Sequence, residues 1–332
     1  MPSPTSPSDV FNTYSSQFTS YEAAAEGITD VIRSELAKFR IPFHQANGRA
    51  KNPLELFKKQ RRKRYANPWS ECPDLVGARI ILPESSLKSV VVDTLRASST
   101  LEVLDVEDQV ATARPDELRY QGLHVHVQHP DFIGVDGQPI RCEVQIRTIA
   151  EHAWSETEHS YIYKKPIDLP PQVARIFSRL LVLVELFDQE LAKGVEQVKA
   201  LESYQRLELA RHLEQLLQPY APSPADLSLS METIEELTLS GHGSTAELGA
   251  LADRFVSERS PTLAELMSAH GPGAPAFDIS VDWILSQGES ILLLALLDKD
   301  EYALGSSLAG SDVYPTVEAL ALRTGHTGFL QD

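Results

Sequence analysis

Apolar positions in the first half of the chain alternate between a helical period of about 3.6 residues and a strand period of two. Helical spacing predicts a helix within residues 21–39, which ends before Pro42, and a second, basic helix within residues 54–64. Strand-like runs follow Asp74, and a turn containing Asp136 and Gly137 joins the last two of them. The predicted elements after Asp74 are strands at residues 75–82, 101–106, 123–128 and 140–148 and a helix at residues 86–97.

The alternation of strands and helices predicts the fold class of this half. Strands and helices that alternate within about 150 residues form a sheet with helices packed on its faces. We therefore expect an α/β (α+β) domain with a mixed sheet and flanking helices.

The second half of the chain has a different pattern. Residues 173–217 keep helical spacing almost without interruption, with an expected break near Gly194, and Pro219 ends the pattern. Short helical segments separated by Gly, Pro and Ser turns fill the remainder, with no convincing strand and no repeat. The predicted segments are residues 231–239, 245–256, 262–269, 282–297 and 313–323.

A length of 332 residues favours more than one domain. Residues 1–18 are rich in Pro and Ser and are predicted to be a flexible tail. Residues 19–166 form the α/β domain, and residues 167–220 a long helix or helical hairpin. Residues 221–332 form an acidic, all-α C-terminal domain whose role the sequence does not reveal.

Charge is distributed unevenly over the chain, which has a net charge of −17. Residues 1–166 hold 20 Lys and Arg against 22 Asp and Glu, whereas residues 167–332 hold 10 against 25. This distribution argues against a protein that coats a nucleic-acid duplex with its whole surface, but it is compatible with a local phosphate site.

The cellular location follows from simple features of the sequence. Two cysteines, Cys72 and Cys142, are too few for a disulfide scaffold. The N-terminus lacks the basic and apolar regions of a signal peptide, and the most apolar run, Ile291 to Leu297, is far shorter than the ~20 residues of a membrane span. We expect a cytoplasmic protein without a membrane partner.

A dense basic segment follows residue 50. Seven Lys or Arg residues lie between Lys51 and Arg64. They form either a solvated or RNA-binding basic face or a site for a phosphate-rich ligand, which both the planar guanidinium and the lysine ammonium suit.

Polar residues also line one face of a predicted strand. The strand period of two places Glu143, Gln145 and Arg147 together and turns Cys142 and Val144 to the opposite face. This polar face is either exposed to solvent or the floor of a polar ligand site. Asp74, at the mouth of an earlier strand, either caps a turn or supplies a second carboxylate for metal and phosphate chemistry.

Histidines and an aromatic residue mark another strand. His124 and His126 share a face, and the ring of Tyr120, just before the strand, could stack on a base. Zinc binding by His124, His126 and His129 lacks a fourth ligand in a suitable motif and is not favoured.

The order of these signals along the chain resembles the RelA/SpoT family synthetase domain, the alarmone synthetases, over about residues 20–166. The family fold is nucleotidyltransferase-like, and the resemblance implies transfer of pyrophosphate from ATP to the 3′-hydroxyl of GDP or GTP, which makes (p)ppGpp and releases AMP. The matching positions are Arg49-x-Lys51, Lys59-x-x-Arg62, Asp74-Leu-x-Gly-x-Arg79, Tyr120-x-x-x-His124, Glu143-x-Gln145-Ile-Arg147-Thr148, Trp154, and Glu158-His159 to Tyr163-Lys164.

The resemblance also implies roles for the catalytic and donor residues. Asp74 and Glu143 bind Mg²⁺, which suits an ion that takes one or two carboxylates plus phosphate oxygens, and Glu143 also activates the acceptor hydroxyl. Catalysis of such a transfer is mostly alignment and charge neutralisation. The residues implied for ATP are Arg49 and Arg79 around the adenine and Lys51, Lys59 and Arg62 on the phosphates.

On the acceptor side, the resemblance implies that Tyr120 stacks on the base and that His124, Gln145 and Arg147 order the nucleotide. Here the sequence departs from the family, because Asp116 occupies the place of a lysine four residues before the tyrosine. An aspartate repels acceptor phosphates, so the 3′ end of tRNA or an adenine nucleotide is an alternative acceptor, as in toxic relatives. A non-catalytic nucleotide-binding module is a further alternative.

The C-terminal half raises hypotheses about partners. The sequence contains no His-Asp hydrolase signature, so we expect a small, synthetase-only form. The long helix either packs on the synthetase domain or pairs with a second copy in a homo-oligomer. The acidic C-terminal domain either restrains the basic site as an internal inhibitor, or a separate antitoxin inhibits the protein.

Overall fold

The computed structural model describes residues 6–108, 122–161, 169–221 and 226–330. The chain forms two compact units, residues 1–194 and residues 195–332. The boundary falls inside a long helix and not near residue 166, because Leu181 and Asp188 of that helix are buried in the first unit.

The first unit combines a sheet with helices. Its described helices are α1 (Pro7–Ser16), α2 (Phe18–Lys38), α3 (Pro53–Lys63), α4 (Pro68–Glu71), α5 (Leu87–Ala97), α6 (Ile149–Tyr161) and most of α7 (Pro171–Lys199). Its strands are β1 (Gln45–Ala50), β2 (Val76–Leu82), β3 (Glu102–Asp108), β4 (Leu123–Ile133) and β5 (Pro139–Thr148).

The five strands form one mixed sheet in the order β1-β2-β5-β4-β3. Strands β2 and β5 are parallel, and the other neighbours are antiparallel. Gly137, with φ of 75°, forms the turn between β4 and β5, where the left-handed backbone favours glycine. The predicted fold class, a mixed sheet with flanking helices followed by a helical region, is confirmed.

The two faces of the sheet differ in polarity, and this difference positions the site. Alternate residues such as Ile80, Val144 and Val125 are fully buried and form the core with α2 and α5. Helix α2 approaches β1 closely, since a Cβ on Gly48 would lie 2.3 Å from the carbonyl oxygen of Ala25. The residues between them point to the opposite, polar face.

Two elements near the N-terminus differ from prediction. The flexible tail predicted for residues 1–18 is wrong from Pro7 onward, because α1 buries Val10 and Tyr14 and the Tyr14 hydroxyl donates to the Leu75 carbonyl. Strand β1 had no prediction, since its sequence contains no large apolar residue. Its order comes from pairing with β2 and from the close packing of α2.

The second unit is helical over its described residues, as predicted. The apolar run Ile291–Leu297 is buried at its centre. Its helices are the end of α7, then α8 (Glu202–Leu217), α9 (Leu227–Leu239), α10 (Thr245–His270), α11 (Ile279–Asp282), α12 (Glu289–Leu308) and α13 (Tyr314–Thr324), with short 3-10 helices at Trp283–Ser286 and Thr327–Leu330.

Helix boundaries in this region also differ in detail. The predicted break near Gly194 is wrong, because α7 continues to Lys199. The helical structure is interrupted at Ala200 and Leu201 instead. The two helices predicted at residues 245–256 and 262–269 join as α10, with a kink at Arg259 ahead of Pro261. Proline removes one helical hydrogen bond and bends the helix without ending it here.

Across the described residues, no single helix is long and apolar enough to cross a membrane. Residues Ile279–Ser286 and Glu289–Leu308 reach that length and apolarity only as a pair bent by 98°. The apolar side chains from Ile291 to Leu297 lie in the core of the second unit.

Candidate active site

The polar face of the sheet lines a cavity of about 430 Å³. Strands β1, β2 and β5 form its floor, and helix α6 supplies one wall. Of the residues predicted for the site, Arg49, Asp74, Arg79, Glu143 and Gln145 line this cavity. The other lining residues are Gln45, Asn47, Gly48, Gly77, Ala78, Ile81, His152 and Glu156.

Asp74 lies just before β2 and is held by two lysines. Lys51 Nζ lies 2.6 Å from Asp74 Oδ2, and Lys59 Nζ lies 2.7 Å from Asp74 Oδ1. Lys51 follows β1, where its backbone N–H donates to the Leu75 carbonyl, and Lys59 lies on α3. The predicted turn-capping alternative for Asp74 is therefore not what the structure shows.

The lysines determine the charge state of Asp74. Burial alone would raise the pKa of this carboxyl, but the hydrogen bonds from Lys51 and Lys59 outweigh burial and hold the pKa well below its usual range. Burial raises the pKa of the neighbouring Cys72 thiol to about 12, and this thiol donates to Asp74 Oδ1 at 3.2 Å. Asp74 is an anion and Cys72 a neutral thiol at neutral pH.

Strand β5 carries a continuous row of hydrogen-bonded side chains. Gln145 Nε2 donates to Glu143 Oε1 at 2.8 Å, and Arg147 Nη2 donates to Gln145 Oε1 at 3.0 Å. Arg147 Nη1 also donates to Ser155 Oγ of α6 at 2.7 Å. The predicted common face of Glu143, Gln145 and Arg147 is confirmed, and Gln145 links the carboxylate to the guanidinium.

Strand register extends this polar face across the sheet. Arg79 lies opposite Asn47 on β1 and beside Gln145 on β5. His124 lies opposite Gln145, with its Nδ1 4.0 Å from Glu143 Oε1. Arg79, predicted for the donor, and Gln145 and His124, predicted for the acceptor, therefore lie along adjacent strands of one surface.

Helix α6 contributes residues that sequence reasoning missed. Glu156 Oε1 accepts from Arg79 Nη1 at 2.9 Å and lies 3.7 Å from His152 Nδ1. Burial, together with nearby Arg79, lowers the pKa of His152, so this imidazole is neutral at neutral pH. His152 and Glu156 are four residues apart on a helix that directly follows β5, and this spacing is the sequence feature that could have identified them.

Arg62 stands apart from this cluster. It is exposed on α3, one turn beyond Lys59, and does not line the cavity. Tyr120 lies outside the described residues, as does Asp116. Among the described residues, no group of three His, Cys, Asp or Glu side chains is placed to hold a metal ion, so the disfavoured zinc site of His124, His126 and His129 does not form there.

The donor set fits Mg²⁺ better than zinc. Mg²⁺ keeps several waters and is usually held by one or two carboxylates together with substrate phosphates. Asp74 and Glu143 are two carboxylates on one cavity, and Asp74 is ionised at neutral pH. The residues present are therefore compatible with an ion shared with a polyphosphate ligand.

Comparison with known sequences matches this part of the chain to a family. Residues 48–168 match the region found in RelA / SpoT proteins. GTP pyrophosphokinase YwaC of Bacillus subtilis (strain 168) is 29% identical over 118 residues, which are 36% of this chain and 55% of YwaC. GTP pyrophosphokinase YjbM of the same organism is 27% identical over 153 residues, 46% of this chain and 72% of YjbM. This chain thus spans just over half of YwaC.

Solved structures share the fold. Small alarmone synthetase 1 from Bacillus subtilis superposes with a TM-score of 0.50 at 23% identity, over 57% of this chain and all of that protein. A GTP pyrophosphokinase family protein from Streptococcus pneumoniae superposes with a TM-score of 0.50 at 22% identity, over 56% of this chain and 94% of that protein. Residues 48–168 of this chain thus match the RelA/SpoT family model, and the solved structures show the same fold.

Proposed function

We propose that this chain is an ATP:nucleotide 3′-pyrophosphotransferase of the GTP diphosphokinase type, which makes (p)ppGpp from ATP and GDP or GTP. One observation carries the proposal: the ionised Asp74, held between Lys51 and Lys59, lies on the same cavity as Glu143 and Gln145, and Gln145 accepts from Arg147. This pairing of carboxylates with cations suits phosphoryl chemistry, in which alignment and charge neutralisation supply most of the catalysis.

The donor end of the site suits ATP. Arg49 and Arg79 line the cavity, and a guanidinium can stack on a purine ring. Lys51 and Lys59 place two ammonium groups beside Asp74, where they can meet phosphate oxygens. Arg62, exposed one helical turn away, extends this positive surface.

The acceptor end suits activation of a hydroxyl. The acceptor 3′-oxygen forms a bond to the β-phosphorus of ATP, the bond from that phosphorus to the α,β-bridging oxygen breaks, and AMP leaves. Glu143 receives the proton of the hydroxyl, and Gln145 fixes the orientation of the Glu143 carboxylate. His124, Gln145 and Arg147 would order the acceptor, together with Tyr120.

We infer that Mg²⁺ is the cofactor and that Asp74 and Glu143 hold it. A bound Mg²⁺ neutralises charge on the phosphate oxygens. Lys51 and Lys59 keep Asp74 ionised and therefore able to bind a cation.

AMP release tests the proposal. Purified protein with ATP, Mg²⁺ and GDP or GTP should produce AMP, and Asp74→Asn or Glu143→Gln should lower kcat by at least about 100-fold, the effect of removing a group that stabilises transition-state charge. Asp93→Asn is the matched control, since Asp93 is an exposed carboxylate on α5 that does not line the cavity. Wild-type turnover in both site variants would defeat the residue assignment.

The acceptor is a separate question. Asp116 in place of the family's lysine favours a second candidate, transfer to the 3′ end of tRNA or to an adenine nucleotide. Offering these acceptors beside GDP and GTP distinguishes the candidates. A nucleotide-binding module without catalysis would bind ATP and release no AMP.

Three further expectations stay predictions. These are a homo-oligomer through the long helix, an antitoxin partner, and restraint of the site by the acidic residues 221–332. Restraint is tested with a chain that lacks residues 221–332, to which these residues are added as a separate segment. If they restrain the site, activity should fall on addition.

A further inference from the structure

The Thr148 side chain connects three elements at the end of β5. Its hydroxyl accepts from the Glu151 backbone N–H at 3.1 Å and donates to Asp188 Oδ2 on α7 at 2.7 Å. Thr148 is fully buried and directly follows Arg147 in the chain. Thr148 belongs to the motif that resembles the synthetase family, but the resemblance implies no role for it. Asp188 lies outside the motifs.

Thr148 and Glu151 begin helix α6. Besides the bond to the threonine hydroxyl, the Thr148 backbone N–H donates to Glu151 Oε2 at 2.8 Å, which completes a reciprocal capping box. The other oxygen of Glu151 pairs with Lys88 Nζ of α5 at 2.5 Å. The first turn of α6 is therefore fixed to α5 through Glu151 and to α7 through Thr148.

Helix α6 in turn holds two cations of the site. Ser155 accepts from Arg147 at 2.7 Å, and Glu156 accepts from Arg79 at 2.9 Å. Trp154 of the same helix is buried, and its ring centroid lies 6.3 Å from that of Phe177 on α7. A shift of the first turn of α6 would displace the partners of both Arg79 and Arg147.

Asp188 is an unusual residue at a buried position if its only role is to pack against its neighbours. It is 7% exposed, and its second oxygen, Oδ1, has no hydrogen-bond partner among the described residues. Burying a carboxyl in this way is unfavourable, whereas an apolar side chain with the same branched shape, such as leucine, would not carry that cost. What the carboxyl adds is an acceptor for the Thr148 hydroxyl.

We propose that Asp188 is a positioning residue for the nucleotide site, which acts through Thr148 and the first turn of α6 on Arg79 and Arg147. The proposal deepens the proposed function, since the nucleotide it concerns is the donor or acceptor of that reaction. It also connects helix α7 to the site through Thr148.

Hydrogen exchange and nucleotide binding in the full chain test this role. Asp188→Leu removes the acceptor, whereas Asp188→Asn keeps an oxygen that can accept from Thr148. We expect Asp188→Leu to raise amide exchange in peptide 149–161 and the Kd of a non-hydrolysable ATP analogue by about tenfold each, the size expected when one buried donor loses its partner. Asp188→Asn should restore both to near the wild-type values.

Two controls separate positioning from general stability. Glu185→Ala removes an exposed carboxylate from the same helix and should change neither measurement. Peptide 76–82 of the core strand β2 should exchange at the wild-type rate in Asp188→Leu.

Unchanged exchange in 149–161 with unchanged analogue binding would overturn the proposal. Equal acceleration in 76–82 and 149–161 would also overturn it, since that result indicates a merely structural role. Wild-type protein that releases no AMP defeats the proposed function instead, and the exchange measurement still decides the role of Asp188.

Discussion

Lys59 Nζ lies 2.7 Å from Asp74 Oδ1, and this contact joins helix α3 to the start of strand β2. Lys51 holds the other oxygen of the same carboxylate, so two lysines from different elements meet one aspartate. The side chains are 18%, 18% and 31% exposed, which leaves the cluster within reach of a ligand while limiting screening by water. The cluster forms the cationic end of the proposed nucleotide site.

Replacing Lys59 should change the pH dependence of the reaction. Lys59 is one of the two partners that hold the Asp74 pKa down against burial, so Lys59→Met raises that pKa. Because the reaction requires the carboxylate, the fall of kcat/KM on the acidic side should begin at a higher pH in the variant than in the wild type.

Lys58→Met is the control for this experiment, because Lys58 is on the same helix but pairs with Glu55 at the surface. Profiles of kcat/KM against pH provide the measurement. The same acidic limb in Lys59→Met and in wild type would show that Lys59 does not govern the protonation of Asp74.

The partners Arg79 and Glu156 should contribute unequally to ATP binding. Their side chains are 28% and 57% exposed, and an ion pair this accessible is worth only about 0–1 kcal/mol. Glu156→Gln should therefore raise the KM for ATP by less than about fivefold. Arg79→Ala removes the proposed stacking group itself and should raise this KM by about tenfold or more. Steady-state kinetics with ATP as the varied substrate compares the two, and a larger effect of Glu156→Gln would contradict the stacking role of Arg79.

Gly48 should be intolerant of a side chain. Its Cβ would lie 2.3 Å from the Ala25 carbonyl oxygen and 2.5 Å from Thr29 Oγ1, so Gly48→Ala has to push α2 away from β1. Overpacking of this kind costs about 1–3 kcal/mol in unfolding free energy, measurable by urea denaturation.

A second glycine provides the comparison. Gly194 is exposed on α7 with no atom within 4 Å of its Cβ position, so Gly194→Ala should be neutral or stabilising by up to about 1 kcal/mol. Equal destabilisation by the two substitutions would refute the close packing of α2 on β1.

The buried Glu289 should make the stability of the second unit depend on pH. It is fully buried, accepts from the Ser230 hydroxyl, and burial raises its pKa. A carboxyl whose pKa is raised by folding favours the folded state most below its ordinary value of about 4.5 and loses that contribution as the pH rises.

Glu289→Gln keeps this side chain neutral at every pH. Its melting temperature in the full chain, relative to wild type, should therefore be higher at about pH 8 than at about pH 5. Thermal unfolding at the two pH values provides the measurement. A difference from wild type that does not change with pH would exclude ionisation of Glu289 as the cause.

The sequence predicted what depends on local pattern. The alternation along β5 identified the common face of Glu143, Gln145 and Arg147, and the order of motifs identified Asp74 as the second carboxylate. The main helices and four of the five strands followed from hydrophobic periodicity in the same way.

What the sequence did not predict depends on tertiary contacts. Strand β1 lacks large apolar residues, and its order depends on β2 and α2. In the sequence, Glu156 and Asp188 do not differ from other acidic residues of helices. Only the packing of α6 and α7 brings them to Arg79 and Thr148. Helix α1 is similar, since a Pro- and Ser-rich start gives no sign that Tyr14 is buried.

Transfer of label from ATP tests the central claim most directly. The full chain is incubated with Mg²⁺ and ATP labelled in its γ-phosphate, in parallel with GDP, GTP and deacylated tRNA, and the labelled products and AMP are quantified. The account predicts that label moves to an acceptor, with one AMP released for each transfer, and that Asp74→Asn and Glu143→Gln abolish both. Label that stays in ATP with every acceptor, and no AMP, would contradict it.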